Sequence, residues 1–407
     1  MLKTELLEII ANGESSGLEF KRDDIRPEDL GKEVVALANF QGGRILLGIE
    51  DDGSISGIQR ANLEEWVMNI FRDKIHPFIN PYYEEVVIDD KRVAVISIEQ
   101  GTSKPYVLRH NGQERIYIRV GTTSRDATRE QQARLYDAGG MLHAETMSVS
   151  GTNLNNLDME RVKNYFFDVI EDPEHPSNEA QWIERLAGLG FLSRSQSGNI
   201  PCTIAGLISF GIHPRRYLPQ AGIRFMAFEG EDKTYRAIID EVLDGPLFNR
   251  FKKTETGNLD VIDEGLIEKI SRIIHPYISQ EGNTINDEMH RERTWLYPLE
   301  AVRETIINAI AHRDWTRSVD IEIAVYANRI EIISPGALQN SMTIEKMIAG
   351  QRSPRNPLIV GIMRDYGYVD ARGMGVRTKV IPLMRQQNQK DPVFVATDDF
   401  LKVSLYK

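Results

Sequence analysis

The sequence predicts an α+β protein of more than one domain. Its 407 residues exceed the size that a single hydrophobic core ordinarily serves. Helical and strand-like patterns alternate without a regular repeat, and the 27% charged and 41% hydrophobic residues are typical of a globular chain. We therefore expect an N-terminal domain over residues 1–140, a mixed connector over 141–295 and an α/β sandwich over 296–407.

The first 140 residues have the pattern of an α+β unit. Asn12 and Gly13 end the first helical pattern, and a glycine pair ends the second one before a strand. Alternation in the first strand places Glu19 and Lys21 on the face opposite their apolar neighbours. The predicted elements are, in order, a helix at 2–11, a strand at 18–21, a helix at 30–40, and strands at 44–49, 92–99 and 115–120.

The connector has a looser composition after residue 151. Two helix-like stretches lie on either side of residues 172–177, and a polar turn at 195–199 precedes an apolar, strand-like return. Helix, helix and hairpin in this order are the parts of a winged-helix module. The sequence contains no basic recognition helix there, so a plain connector is the alternative.

The C-terminal segment begins with a helix that runs to His312. Two strands follow at residues 320–326 and 329–333, joined by a two-residue turn. A last strand is predicted at residues 400–406.

Composition excludes several classes of protein. One cysteine, Cys202, excludes an internal disulfide and a zinc site built on paired thiolates, and its neighbours favour a core position. The formal net charge of -11 argues against coating of nucleic acid by bulk electrostatics, so a polyanion would need a local basic patch or a bridging metal. The chain has no bilayer-spanning apolar run and no signal peptide, which predicts a cytoplasmic protein without a membrane partner.

Carboxylates on separate short elements form the first candidate site. Glu14 and Glu19 flank a short loop, and Asp51 lies in the acidic turn after a Gly-Gly strand. If they converge, they could hold Mg²⁺ or Mn²⁺ beside a phosphodiester, with Lys21 binding a phosphate or the developing charge. The alternative is an exposed Glu19–Lys21 ion pair and an ordinary acidic turn.

The segments that carry these acids resemble the Schlafen core and its prokaryotic AlbA-like relatives. The resemblance is dense over residues 10–60 and extends to about residue 135. It implies that Glu14, Glu19 and Asp51 are the metal triad of an endoribonuclease, with tRNA or another structured RNA as substrate. Many relatives are described only as DNA-binding proteins, so retention of the acids does not establish turnover.

The region from residue 104 to 129 is locally basic. Within it, spacing two along a predicted strand places Arg115, Tyr117 and Arg119 on one face, and Lys104 lies nearby. Phosphate contacts with an interleaved stacking ring would look like this, and so would a solvated strand face. Six basic residues make up the region: Lys104, Arg109, Arg115, Arg119, Arg125 and Arg129.

A second candidate site lies on the helix before His312. Glu304, Asn308 and His312 recur every four residues, so they form one polar stripe on an otherwise apolar helix. Such a stripe predicts a lined cleft.

This helix resembles the N-box of the GHKL (histidine-kinase-like) ATPases. The resemblance implies that Glu304 activates water, that Asn308 coordinates the Mg²⁺ of ATP, and that Gly373 and Gly375 belong to a phosphate loop. The family's adenine-reading aspartate is missing from residues 334–338. ATP binding therefore stays open beside the alternative that the domain serves dimer contacts.

We therefore expect a nucleic-acid-binding protein, with RNA favoured over DNA. The more specific expectation is a divalent-metal-dependent, Schlafen-type endoribonuclease that a GHKL-like domain regulates or assembles into a homo-oligomer. The alternatives are a DNA-binding transcriptional regulator without chemistry and an ATP-gated dimerisation switch.

Overall fold

The computed structural model divides the chain into two compact units. One unit comprises residues 1–142 with 339–341, and the other comprises 143–338 with 342–407. The described residues are 1–140, 143–174, 176–194, 199–254, 258–285, 291–339, 342–351, 353–369 and 374–407. No helix among them is long and apolar enough to cross a membrane.

The first unit mixes helices and strands along the chain. Its helices are α1 (Lys3–Ala11), α2 (Pro27–Asn39), α3 (Leu63–Lys74) and α4 (Arg129–Ala138). Its strands are β1 (Leu18–Lys21), β2 (Gly43–Leu47), β3 (Ile75–His76), β4 (Tyr82–Ile88), β5 (Lys91–Ile98), β6 (Val107–His110), β7 (Gln113–Arg115), β8 (Tyr117–Val120) and β9 (Thr123–Asp126).

A four-stranded sheet in the order β1-β2-β5-β4 organises the first unit. β1 and β2 are parallel, and Glu19 lies beside Ile45 in the register. Both faces of this sheet are covered. Residues of α2 and α3 pack with Ile45 on one face, and Leu6 of α1 packs with Phe20 and Leu46 on the other. A polar side chain on either face of β1 therefore enters protein interior.

The predicted strand at residues 115–120 is two strands. β7 pairs with β6, whereas β8 pairs with β9 in a hairpin that matches Arg119 with Ser124. Ile116 separates β7 from β8. Arg115 and Arg119 consequently belong to different strand pairs, which differs from the single strand that the sequence predicts.

The second unit contains the remaining elements. Its helices are α5 (Met159–Asn164), α6 (Glu179–Gly188), α7 (Ile204–Phe210), α8 (Leu266–Ile278), α9 (Leu299–Ala311), α10 (Ile344–Ile348), α11 (Pro357–Asp365) and α12 (Ile381–Asn388). Its strands are β10 (Gly222–Ala227), β11 (Ile239–Asp244), β12 (Arg250–Lys253), β13 (Leu259–Asp263), β14 (Ser279–Ile285), β15 (Arg291–Trp295), β16 (Ile321–Val325), β17 (Arg329–Pro335), β18 (Val393–Ala396) and β19 (Phe400–Tyr406).

A six-stranded sheet in the order β11-β10-β16-β17-β19-β18 forms the centre of the second unit. β10 runs parallel to β16, and the other neighbours are antiparallel. The amphipathic helix α8 buries Leu266, Ile270 and Ile274 in the main core, and α9 buries Val302 and Ile306 there. These helices and the sheet form an α/β arrangement around one core, as expected for the C-terminal domain.

The predicted boundary at residues 295–296 does not separate two compact units. β10 and β11 come from the expected connector, yet they join the same sheet as β16 to β19. Ile223 pairs with Ile321, which lies about a hundred residues later in the chain. Local sequence patterns do not predict a pairing over this distance. The boundary near residue 140 lies close to the division at 142–143.

The helices α5, α6 and α7 account for the rest of the expected connector. Leu192 forms an antiparallel bridge with Cys202, and the intervening polar turn extends into residues 195–198, outside the described residues. The winged-helix interpretation therefore stays a prediction. Cys202 is fully buried, which confirms its expected core position.

Candidate functional site

The carboxylate of Glu19 lies in a buried network of charges. Alternation along β1 points Glu19 to the α2 face of the sheet, where it is only 5% exposed. Nη2 of Arg119 donates to Oε2 of Glu19 at 2.5 Å, and the ammonium group of Lys21 donates to Oε1. Both oxygens of Glu19 are therefore occupied by cations. The exposed ion pair considered from the sequence is in fact a buried one.

Arg119 connects this carboxylate to two further parts of the unit. Its side chain is fully buried, and its guanidinium donates to the backbone carbonyls of Ser15 and Ser16 at 3.0 and 3.2 Å. Nη1 of the same group donates to Oε2 of Glu33 at 3.0 Å. Arg119 thus fastens the loop before β1 to helix α2 and the β8–β9 hairpin.

Glu33 is the acid in this network that the sequence did not single out. It lies on α2, is 7% exposed, and accepts a hydrogen bond from Oγ of Ser124 at 2.5 Å. Burial raises the pKa of the Glu33 carboxyl, the negative charge of Glu19 acts in the same direction, and Ser124, Lys21 and Arg119 oppose them. The available sequence signal for Glu33 was an acidic residue on α2 whose neighbours on the helix are mostly apolar.

Glu14 and Lys21 complete the network at the edge of the sheet. Oε1 of Glu14 accepts a hydrogen bond from the backbone N–H of Phe20 at 2.8 Å, which closes the loop between α1 and β1. Burial opposes the charge of Lys21, but Glu19, through its hydrogen bond and charge, and the charges of Glu33 and Glu14 raise the pKa of Lys21 above its ordinary value. The charges of three carboxylates therefore favour the protonated form of Lys21.

Asp51 lies in an exposed turn after β2. The turn is closed by a hydrogen bond from the N–H of Gly53 to the carbonyl of Glu50 at 2.9 Å, and Gly53 adopts a φ of 82°. In the part of the chain that the structure describes, no group of three or more His, Cys, Asp or Glu residues is placed to hold a metal ion. The structure therefore does not bring Glu14, Glu19 and Asp51 together as a ligand set, and their assignment to Mg²⁺ or Mn²⁺ stays a prediction.

The residues predicted to contact nucleic acid have different surroundings. Tyr117 is 7% exposed and Arg119 is 6% exposed, so neither offers a stacking ring or a free guanidinium at the surface. The ammonium group of Lys104 donates to the carbonyl of Phe40 at 2.8 Å. Arg115 is exposed on β7. The shared face expected for Arg115, Tyr117 and Arg119 is therefore not present.

Three exposed arginines lie on segments next to the β8–β9 pairing. The N–H of Ala127 donates to the carbonyl of Ile116 at 2.9 Å, which places the segment after β9 beside Arg115. Arg125 on β9 and Arg129 at the start of α4 are exposed like Arg115. None of these three arginines has a carboxylate partner within 4.0 Å among the described residues. We call Arg115, Arg125 and Arg129 the arginine surface.

The second candidate site is built on helix α9. Nδ2 of Asn308 donates to Oε1 of Glu304 at 3.2 Å, and both side chains are half-buried. The four-residue spacing thus brings these two groups together, as the sequence predicts. The segment of Gly375 lies against them, because a Cβ at position 375 would fall 1.7 Å from Oε1 of Glu304. Gly373 lies outside the described residues.

His312 follows α9, and its main chain is held by the segment before α11. Nη1 of Arg355 donates to the carbonyl of His312 at 3.3 Å, and Nδ2 of Asn356 donates to the carbonyls of Ala311 and Arg313 at 3.0 and 2.8 Å. These contacts satisfy carbonyls that a helix end leaves free. Neither Arg355 nor Asn356 was singled out from the sequence.

Two family models match separate parts of the chain. Residues 14–128 match the family described as "Schlafen, AlbA_2". Residues 319–405 match the family described as "Putative ATP-dependent DNA helicase recG C-terminal". The first unit therefore carries a Schlafen/AlbA_2 domain. The C-terminal part of the second unit is an ATPase-like domain of the RecG C-terminal type, and its matched residues begin after α9.

Two solved structures are similar to this chain at low identity. The crystal structure of the DIP2311 protein from Corynebacterium diphtheriae is 19% identical, covers 99% of this chain and 79% of that chain, and gives a TM-score of 0.43. The solution structure of the N-terminal domain of a "Putative ATP-dependent DNA Helicase RecG-related Protein" from Nitrosomonas europaea is 21% identical, covers 31% of this chain and 92% of that domain, and gives a TM-score of 0.24. No curated protein matches the chain.

Proposed function

We propose that this chain is a nucleic-acid-binding protein whose first unit contacts the polynucleotide, with RNA favoured over DNA. The observation that carries the proposal is the presence of a Schlafen/AlbA_2 match and a RecG C-terminal match in one chain. The arginine surface supports it, since exposed guanidinium groups without carboxylate partners are suited to bidentate phosphate contacts. Local positive charge of this kind is needed in a protein whose net charge is -11.

Binding is tested by fluorescence anisotropy with a labelled hairpin RNA and a duplex DNA of the same sequence. The variant Arg115→Glu/Arg129→Glu is expected to weaken RNA binding at least about tenfold, because two phosphate contacts become repulsive. The matched control is Arg26→Glu/Arg72→Glu, which makes the same change of charge at exposed arginines paired with Asp29 and Asp73. Equal weakening of RNA binding by both variants would mean that the effect comes from the change in net charge and not from the arginine surface.

Cleavage of structured RNA, with tRNA as the expected class, is the second candidate. The hydrogen bonds of Glu14 with β1 and of Glu19 with Lys21 favour it, since both acids lie at one edge of the sheet. The lack of a metal-holding group of acids among the described residues and the two cations on Glu19 weigh against it. The present arrangement therefore supports binding more strongly than cleavage.

Cleavage is tested by incubating a labelled tRNA with the full chain and Mn²⁺ or Mg²⁺. Asp51→Asn should abolish cleavage if Asp51 is a ligand, while Asp52→Asn in the same exposed turn should not. Cleavage that survives Asp51→Asn and Glu19→Gln would exclude these acids. Binding to duplex DNA that is insensitive to chelator, without cleavage, would favour the DNA-binding regulator.

We also propose that the second unit binds an adenine nucleotide beside α9. The Glu304–Asn308 pair and the close approach of Gly375 support this, and the lack of an acid at residues 334–338 weighs against tight adenine recognition. Calorimetry with ATP and Mg²⁺ should give a binding signal that Asn308→Ala removes. A flat titration of the unaltered chain would eliminate nucleotide binding and leave dimer contacts as the role of this domain.

A further inference from the structure

The six-stranded sheet of the second unit ends in two edge strands of different character. β11 lies at one edge and β18 at the other. β18 (Val393–Ala396) carries no charged residue, whereas β11 carries the acids Asp240, Glu241 and Asp244. The edge strands of the four-stranded sheet also carry charged residues. Because charged side chains commonly protect a strand edge against pairing, β18 is the edge of these two sheets that lacks this protection.

The main chain of β18 presents hydrogen-bonding groups on its free side. The N–H of Thr397 donates to the carbonyl of Phe400 at 2.9 Å, so these two residues are a hydrogen-bonded pair where β18 turns into β19. Hydrogen-bonded and non-hydrogen-bonded pairs alternate along an antiparallel ladder. The N–H and C=O groups of Phe394 and Ala396 therefore point away from β19. Among the described residues, these groups have no main-chain partner.

The side chains of β18 divide between the two faces of the sheet. Phe394 packs against the main core. Val393 and Val395 lie on the opposite face and are 45% and 37% exposed. β-Branched side chains on a strand stabilise a sheet by packing against a neighbouring strand. The exposed valines and the open main chain together form a surface suited to one more strand.

Charged residues lie at both ends of β18. Lys390 precedes the strand, and Asp398 and Asp399 form the turn that follows it. Asp391 also precedes the strand, but it is paired with Arg385. When two β18 strands lie antiparallel, the start of each strand is beside the end of the other. Lys390 of one copy then approaches the acidic turn of the other, so the charges at the ends favour the antiparallel arrangement.

We propose that β18 pairs with β18 of a second copy of this chain, antiparallel across a two-fold axis, so that two six-stranded sheets join into one. The outward main-chain groups of Phe394 and Ala396 bond to the same groups of the other copy, which places the axis close to Val395. A neutral strand edge that matches itself is suited to such an isologous contact. The contact is independent of the polynucleotide and nucleotide sites.

Pairing of β18 with β11 of another copy is a less suitable arrangement. The acids of β11 would face a strand that has no basic residue to meet them. Contacts of this head-to-tail kind also form open chains of molecules unless they close into a ring. Self-pairing of β18 uses the neutral edge of both copies and ends with a dimer.

The small size of the contact sets the expected affinity. Four residues from each copy bury less than the roughly 800 Å² per partner of a standard interface, so we expect a dissociation constant on the order of 10 µM. Sedimentation equilibrium of the full chain should show a reversible equilibrium between monomer and dimer. A chain that stays monomeric up to the highest soluble concentration would overturn the proposal.

Val395→Lys tests the position of the contact. It brings two ammonium groups together near the axis and should weaken the dimer at least about tenfold. The matched control is Val242→Lys, which makes the same change at a valine of β11 that is 43% exposed. The control should leave the dimer unchanged. Equal weakening by both variants, or a dimer that Val395→Lys does not affect, would refute self-pairing of β18.

A mixture of two variants tests the contact by a gain of association. Copies with Val395→Lys and copies with Val395→Glu carry opposite charges near the same axis. A one-to-one mixture should therefore form mixed dimers at least about tenfold tighter than either variant forms with itself. If both variants keep the circular dichroism of the unaltered chain and the mixture does not associate, the proposal is wrong.

Amide hydrogen exchange locates the contact on the main chain. The N–H groups of Phe394 and Ala396 should exchange about tenfold more slowly at a protein concentration about ten times the dissociation constant than far below it. The N–H groups of Val393 and Val395 bond to β19 in monomer and dimer alike, so their exchange should change less. Protection on dimerisation that leaves Phe394 and Ala396 unaffected would overturn the proposal.

Discussion

The carboxylate of Glu304 fills the space in which Gly375 would carry a side chain. A Cβ at position 375 would lie 1.7 Å from Oε1 and 2.2 Å from Cδ of Glu304. Real Cβ atoms do not approach other atoms this closely, so the side chain of Glu304 would have to move. The backbone of Gly375 does not itself require glycine, since its φ is an ordinary −56°.

Gly375→Ala should therefore displace Glu304 and disturb the Glu304–Asn308 hydrogen bond. We expect a loss of at most about 1 kcal/mol in the free energy of unfolding of the second unit, because the flexible end of Glu304 can move aside. The nucleotide affinity proposed for this site should fall as well. Denaturant unfolding and calorimetry with ATP and Mg²⁺ measure the two effects.

Gly361→Ala is the control for this substitution. Gly361 lies within α11, and a Cβ there would meet no atom within 4 Å. Alanine at this position should leave stability unchanged or raise it by about 0.5–1 kcal/mol. Equal stabilities of the two variants would contradict the steric role of Gly375.

Arg119→Met should destabilise the first unit strongly. The change removes the cation that contacts Glu19 and Glu33, and it leaves two acids in the interior without that partner. Loss of one member of a buried ion pair costs about 3–5 kcal/mol. The free energy of unfolding from urea denaturation of the full chain measures this, with Arg125→Met on the exposed side of the same hairpin as the control.

Neutralising the acids should restore part of this loss. The triple variant Arg119→Met/Glu19→Gln/Glu33→Gln removes the uncompensated charges, and so it should be more stable than Arg119→Met alone. A cost below about 1 kcal/mol for Arg119→Met would mean that the network contributes little to folding.

The salt dependence of RNA binding should report the arginine surface. Each phosphate contact to a single strand contributes about 0.7 to the slope of log K against log salt concentration. Arg115→Gln/Arg129→Gln should therefore lower the magnitude of the slope by about 1.4. Anisotropy titrations between about 50 and 200 mM salt measure this slope. An unchanged slope would exclude these two arginines from the interface.

The thiol of Cys202 should make the second unit less stable at alkaline pH. Burial raises the pKa of Cys202 from its ordinary value near 9 to about 11. The folded protein then holds the thiol proton more tightly than the unfolded chain. The stabilisation is complete below pH 9 and is lost as the pH rises from about 9 to about 11, by about 2–3 kcal/mol. The difference in unfolding free energy between the unaltered chain and Cys202→Ala, measured across this range, isolates the effect.

Local sequence patterns predicted what depends on local geometry. The four-residue spacing of Glu304 and Asn308 brings their side chains together, because neighbours on one helix face are set by the helix alone. Cys202 was expected in the core and is fully buried.

The surroundings of Glu19 could not be predicted from alternation alone. The alternation assigns Glu19 to the face opposite Phe20, which the structure confirms, but it does not show that α2 covers this second face. A carboxylate expected at the surface is consequently buried among cations. The partner Arg119 lies 100 residues away in the chain, and only tertiary packing brings it there.

The position of Arg115 shows a second limit of local patterns. A run of alternating residues from 115 to 120 predicts one strand, but Arg115 pairs with Leu108 on β6 and Tyr117 pairs with Asp126 on β9. Each half of the run pairs within its own hairpin, and the change of partner at Ile116 leaves Arg115 exposed while Arg119 is enclosed.

The parallel contact between β10 and β16 restricts how the chain can be shortened. A fragment that starts at residue 296 would keep β16 but lose β10, and it would uncover a row of main-chain donors and acceptors along the Ile321–Val325 strand. Open strand edges of this kind invite pairing with other molecules. Expression of the C-terminal half should therefore begin near residue 143, since shorter pieces would be prone to aggregate.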